Sequence, residues 1–359
     1  MAMTVTARIS WLGRGGCLLR AVSGCRGVRS GLVVRVLYRC GCRGRTDSRA
    51  AGVADDAAMR RTTAHCAIVA GLLGMWLTVT GGAVAGLGGR VMTAARPGRL
   101  VAITAGHHSG YDRVVFRFSG PLPARRTVGY VPRLVADPSG RPVAIAGQRI
   151  LQVTFAPAVA RRGAEPSGAP QRVAFALPEV MSAVRSGEFE AVVSYGLGLA
   201  GRAPFHVHTV ANPSRLVIDV GVAVSTVLRR VYLLDRARFA VGREPAFVPV
   251  LRPVPAMTPA TGLMDRLFAG PTPTEAAHGL AFISSGASGY GDLSITGGVA
   301  RVRLTGGCSS GGSTASIADE ISLTLRQLPA VRFVKIYDPA GHTARPTGPT
   351  DSRPDCLEP

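Results

Sequence analysis

Glycine and proline interrupt this chain so often between Leu100 and Val220 that no convincing long helix fits there. What lies between the interruptions is a series of short apolar or alternating runs: Leu100–Thr104, Arg113–Phe118, Ile150–Phe155, Arg172–Phe175, Phe189–Tyr195, Phe205–Val210 and Leu216–Val220. Alternation is plain in Val115-Phe116-Arg117-Phe118 and in Phe205-His206-Val207-His208. Gly120-Pro121, Asp137-Pro138-Ser139-Gly140 and Asn212-Pro213 supply the turns. The pattern predicts an all-β sandwich or open barrel over 100–222, reached through a linker at 86–99. The whole chain carries 45 Gly and 25 Pro in 359 residues, which disfavours a helical bundle, while 47% apolar side chains suffice for two cored domains.

From about residue 230 to 359 the texture changes, because apolar residues now recur at helical spacing in two places. Thr258 and Pro259 open one helix, Leu263, Met264, Leu267 and Phe268 give it an apolar face, and Gly270 stops it. Ser316 and Asp319 have capping-box spacing, Ile317, Ile321 and Leu325 form the stripe of a second helix, and Pro329 ends it. Between them Leu293–Thr296 and Val299–Leu304 flank Gly297-Gly298, the composition of a tight hairpin turn, and Val331–Tyr337 adds a strand. The order predicts a two-layer α+β domain with both helices on one sheet face, so the fold class is mixed.

The first 85 residues read as processing rather than fold. Residues 1–58 are rich in Arg and Gly and form a non-native or disordered leader, with Met59 the expected true start. Residues 59–85 are then a signal peptide or an uncleaved signal anchor. Arg60 and Arg61 precede an apolar run, and Ala83-Val84-Ala85 before Gly86 is a cleavage pattern. Five of the seven cysteines lie at or before Cys66, which leaves Cys308 and Cys356 as a disulfide pair suited to an oxidising compartment.

The residues also carry resemblances. Gly110–Phe116, Gly129-Tyr130-Val131 and the stretch from Phe189 to Val220 resemble the AMIN-like domain of actinobacterial exported proteins. Leu267–Thr272, Gly297–Val302 and Thr324–Pro329 resemble the GerMN domain of spore-germination and envelope lipoproteins. The resemblance implies peptidoglycan or wall binding by the first domain, assembly of membrane-adjacent complexes by the second, and no catalysis.

Other motifs weigh less. The formal charge of +21 comes from arginine, since Lys335 is the sole lysine, and its scatter reads as compositional bias rather than a nucleic-acid stripe. Gly196-x-Gly198-x-x-Gly201 with Asp219 mimics a dinucleotide fingerprint, but no helix follows it, so it reads as a glycine-rich turn. His206 and His208, with His107 or His108, lack the carboxylates or cysteines of a metal site, and Gly306–Ser313 lacks the lysine of a phosphate loop. Glu188 and Glu190 would share one strand face, a weak basis for a glycosidase. No cofactor is expected.

Tyr111, Arg113, Arg117, Tyr130 and Arg202 are the candidate ligand-binding residues, able to stack on sugars or pair with carboxylates of wall peptides. The expectation is a non-enzymatic envelope protein, secreted or membrane-anchored, touching the membrane only through its N-terminal signal or anchor. Its expected partner is a cell-wall polymer or envelope protein and not nucleic acid. The alternative is an envelope hydrolase or a direct regulator of a peptidoglycan-remodelling enzyme.

Overall fold

The computed structural model describes residues 20–23, 36–39, 96–160 and 168–359, and the chain divides into two compact units, 1–89 and 90–359. In the first unit the described residues are β1 (Arg20–Ser23) and β2 (Val36–Arg39), paired antiparallel with Arg20 opposite Arg39. The rest of the expected leader, the signal segment with Ala83, Ala85 and Gly86, and Cys66 lie outside the described residues.

The second unit begins with ten strands. They are β3 (Gly98–His108), β4 (Tyr111–Ser119), β5 (Arg125–Val131), β6 (Arg149–Ala156), β7 (Ala158–Val159), β8 (Arg172–Ala174), β9 (Val180–Phe189), β10 (Val192–Leu199), β11 (Phe205–Val210) and β12 (Arg215–Gly221). They form two five-stranded sheets, ordered β5-β6-β10-β9-β8 and β11-β12-β4-β3-β7. Period-2 alternation sends Val114, Phe116 and Phe118 of β4 inward to meet Leu151, Val153 and Phe155 of β6 in one core. Phe155 sits 5.2 Å from Phe116 and 5.0 Å from Phe118 between ring centres, tilted and edge-on geometries that add about 0.5–1.5 kcal/mol per pair beyond burial. Two sheets closing on one core, curled as a half-barrel, fall within the expected sandwich or open barrel.

Two expectations in this half need correcting. The run Phe189–Tyr195 is not one strand: β9 ends at Phe189, and Glu190 and Ala191 turn the chain with φ of 46° and 60° into β10. A turn built without Gly or Asn leaves no compositional mark, and it puts Glu188 and Glu190 in different parts of a hairpin rather than on one strand face. Gly196 and Gly198 lie within β10 rather than in a turn. A Cβ at Gly198 would fall 1.9 Å from the Ala146 carbonyl oxygen, so glycine here lets the preceding loop lie directly on the strand.

The second half continues with β13 (Thr226–Asp235), α1 (Arg236–Ala240), β14 (Phe247–Pro255), α2 (Pro259–Ala269), α3 (Pro273–Ala277), β15 (Leu280–Ala281), β16 (Ala287–Thr296), β17 (Val299–Gly306), α4 (Ile317–Arg326) and β18 (Phe333–Tyr337). Helix α2 starts after Thr258 with Pro259 at its first turn and stops at Gly270, whose φ is 82°. Helix α4 has the Ser316/Asp319 capping box, and Gly297-Gly298 closes the β16–β17 hairpin at φ of 61° and 81°. The crossover through α4 brings β18 parallel to β17.

The strands make two three-stranded sheets, β14-β13-β15 and β16-β17-β18, not the single sheet expected. The reason lies on α4. Its residues Glu320 and Thr324, with Gln327 at its C-cap, accept hydrogen bonds from the backbone N–H groups of Leu234 (3.2 Å), Tyr232 (3.1 Å) and Arg230 (3.0 Å), alternate residues along β13. A helical i, i+4, i+7 stripe thus occupies the strand edge that a further strand would need. On the opposite edge, Pro249, Pro253 and Pro255 of β14 face Tyr232, Leu228 and Thr226 of β13, positions whose N–H groups point away from that ladder. Prolines are tolerated there because no ladder bond is lost.

Cys308 and Cys356 are disulfide-bonded with Cα atoms 5.7 Å apart, as expected. The bridge and the buried Leu357 fix the C-terminal tail against the second core, and Lys335 donates to the carbonyls of Arg345 and Thr347 from within it. Among the described residues no helix is long and apolar enough to cross a membrane.

Candidate functional site

Strand β4 presents Tyr111, Arg113, Val115 and Arg117 outward, because the residues between them point into the sandwich. Register then sets their neighbours. Arg113 lies opposite Asp219 of β12, which lies opposite His206 of β11, and Tyr111 lies opposite His108 of β3. Arg113 grips Asp219 with two hydrogen bonds, from Nε at 2.7 Å and Nη2 at 2.8 Å. That guanidinium holds the Asp219 carboxyl below its usual range, against a smaller opposing effect of burial. His208 approaches the same carboxylate to 4.0 Å, His206 and His208 stand 5.8 Å apart, and His108 stacks on Tyr111 at 4.9 Å. Arg113 also sits 5.4 Å from the Tyr111 ring centre.

Four residue pairs along the β4–β12 ladder, Arg117 lies directly opposite Arg215. Like charges in that position repel, and neither arginine has an acidic partner among the described residues. The Nε of Arg215 is buried without a hydrogen-bond acceptor. The outer face therefore holds one neutralised ion pair and one uncompensated pair of guanidinium groups, the latter suited to a carboxylate or phosphate.

Of the five candidates, the structure places Tyr111, Arg113 and Arg117 on one strand face. It sets Tyr130 and Arg202 in a separate contact. The Tyr130 hydroxyl donates to the Ala203 carbonyl at 2.6 Å and accepts from the Ala203 N–H at 3.0 Å, while Arg202 lies 4.6 Å from the ring centre. Tyr130 is thus a clasp on the Ala203 backbone, with exposed Arg202 as its outward element. Arg113 is committed to Asp219 rather than open to a wall carboxylate. Sequence reading missed Arg215, because only strand register brings it beside Arg117 across about a hundred residues. His107 is drawn off to Asp112 at 2.8 Å, and among the described residues no group of three or more His, Cys, Asp or Glu is placed to hold a metal ion. Glu188 accepts from the Ala160 N–H at 2.9 Å and pairs with Arg185 at 3.3 Å, a structural role.

Residues 98–222 match the family model of the AMIN-like domain, and residues 230–337 match the Germane model, described as sporulation and spore germination. The chain carries an AMIN-like domain followed by a Germane domain. No curated protein matches it significantly. An AMIN-like domain suggests a peptidoglycan-related function in the envelope and an extracytoplasmic location.

A buried seam joins the two domains. Arg266 of α2 is fully buried, and its guanidinium donates to the carbonyls of Phe175, Leu177 and Pro178 in the AMIN-like domain. The same loop is held from its own side by Asp112, which accepts from the N–H groups of Glu179 (2.7 Å) and Val180 (2.9 Å). Glu179 in turn accepts from Gly201 and Ala223 at 2.8 and 3.2 Å, and burial raises its pKa. Ala146, Ala174, Met181 and Ala200 of the AMIN-like domain share one apolar core with Leu263, Met264 and Leu267 of the Germane domain.

Proposed function

We propose that this chain is an exported, non-enzymatic envelope protein that binds peptidoglycan or other wall components through the outer face of its AMIN-like domain. The Germane domain, fastened to the first by the buried seam, serves to scaffold a membrane-adjacent complex. The observation that carries the binding reading is the uncompensated Arg117–Arg215 pair on the same strand face as the Tyr111–His108 stack, which lies toward the other end of β4. Cations without protein partners and an aromatic ring spaced along one exposed strand face are the chemistry that recognises extended, carboxylate-bearing sugar and peptide polymers. The AMIN-like match supports the same assignment. The paired cysteines support an oxidising compartment.

Co-sedimentation of the full chain with purified peptidoglycan tests the reading. The protein is expected to pellet with the polymer and to release no soluble sugar–peptide fragments. Protein left in the supernatant would overturn the binding reading, and release of fragments would replace it with a hydrolase. Protease accessibility in intact cells checks the location, with digestion of the AMIN-like and Germane domains the expected result.

A further inference from the structure

A cleft of about 1100 Å³ lies between the two domains, lined from both sides. That volume exceeds the ~300–1,000 Å³ usual for small-molecule sites, so a segment of polymer fits it better than a metabolite. Three sheets end there. β8, β15 and β16 are each the last strand of their sheet, and all of β8, all of β15 and Ala287–Tyr290 of β16 line the cleft. A terminal strand offers backbone N–H and C=O groups on its outer side, and an extended chain of L-residues can pair with them.

The cleft also has a polarity. Arg172 and Arg236 line its walls with exposed side chains, Arg172 donating to the Ala144 carbonyl at 2.6 Å, and neither has an acidic partner among the described residues. At its floor the Asp265 carboxylate is already occupied. It accepts from the Gln148 amide at 2.9 Å and the Tyr290 hydroxyl at 2.8 Å, and burial raises its pKa, which weakens the one negative charge among the described residues that line the cavity. Phe268, Phe282 and Leu293 give apolar walls into which alternate side chains of an extended segment could point.

We propose that this interdomain cleft binds an extended, acidic segment of a partner protein by strand addition. The site is distinct from the outer face assigned to wall binding. Its existence requires both domains, since β8 belongs to one and β15 and β16 to the other.

The test uses the full chain and a fluorescein-labelled peptide of alternating glutamate and valine. Its counterparts are the lysine–valine peptide and a glutamate–valine peptide N-methylated at alternate backbone amides. The glutamate peptide is expected to bind saturably and about tenfold more tightly than either counterpart. R172E with R236E should weaken it about tenfold while leaving peptidoglycan pelleting unchanged. R236E alone breaks no side-chain bond in the structure and should give a smaller loss in the same direction. Slowed amide exchange is expected in 172–174 and 287–290. Equal binding of the glutamate and lysine peptides, indifference to N-methylation or to the arginine variants, or no saturable binding at millimolar peptide would each overturn the proposal. So would chitotriose displacing the peptide, which would make the cleft a glycan site.

Discussion

The outer face of the AMIN-like domain and the seam against the Germane domain are both built around arginine, and burial gives the same side chain opposite roles. On the face, exposed Arg117 and half-buried Arg215 are set beside each other without an acidic partner among the described residues, so their charge is available. At the seam, Arg266 has no solvent and spends the donors of its two terminal nitrogens on three carbonyls of the other domain, its Nε being left without an acceptor. Exposed charge can be changed at little cost to the fold, whereas removal of a buried donor strands every group it satisfied. Function is therefore to be sought on the face and rigidity in the seam.

The sharpest way to break that contrast is at Arg266. R266A should cost about 3–5 kcal/mol, because it opens a cavity and leaves the carbonyls of Phe175, Leu177 and Pro178 unpaired. In calorimetry the two domains should then melt separately, while a single unshifted transition would show that the seam contributes nothing. Next in size is the disulfide, which closes a loop of 48 residues: C308S with C356S should lose about 4 kcal/mol, localised by amide exchange to the Germane domain. The wild-type and double-serine chains should bind peptidoglycan alike.

A third prediction concerns pH. Burial pushes the Glu320 carboxyl up to about 9, far above its unfolded value near ~4.3. Because the folded value is the higher one, the contribution of the protonated group is complete below the unfolded value and is lost as pH rises through 9. The urea midpoint of the wild type should fall between pH 5 and pH 9, and E320Q should flatten that fall. An unchanged slope in E320Q would assign the pH dependence elsewhere. The smallest effect is expected at the half-exposed ion pair, where R113Q should cost about 0.5–1 kcal/mol in thermal unfolding despite its two hydrogen bonds to Asp219.

What could be read from the residues alone was local. The Ser316/Asp319 cap, the Gly297-Gly298 turn and the alternation of Val115–Phe118 each act within a few positions, and each appears where its chemistry places it. The Glu190-Ala191 turn escaped because it uses no turn-forming residue, and so one expected strand became parts of two. The division of the second half into two sheets depends on Glu320, Thr324 and Gln327 meeting a strand some ninety residues earlier, which no local pattern carries. The candidate site was half legible for the same reason: Tyr111, Arg113 and Arg117 show themselves by spacing on one strand, but their partners Asp219 and Arg215 arrive by register. The two halves read as independent modules, and the shared core around Met181 and Leu263 was invisible without the structure.

One measurement tests the division of labour most directly. Full-length wild type, R117A with R215A, and R266A are pelleted with purified peptidoglycan while their melting temperatures are recorded. The face variant is expected to lose most of its pelleting with its melting temperature nearly unchanged, and the seam variant to pellet still, below its lowered melting temperature. Full pelleting by R117A with R215A would contradict it.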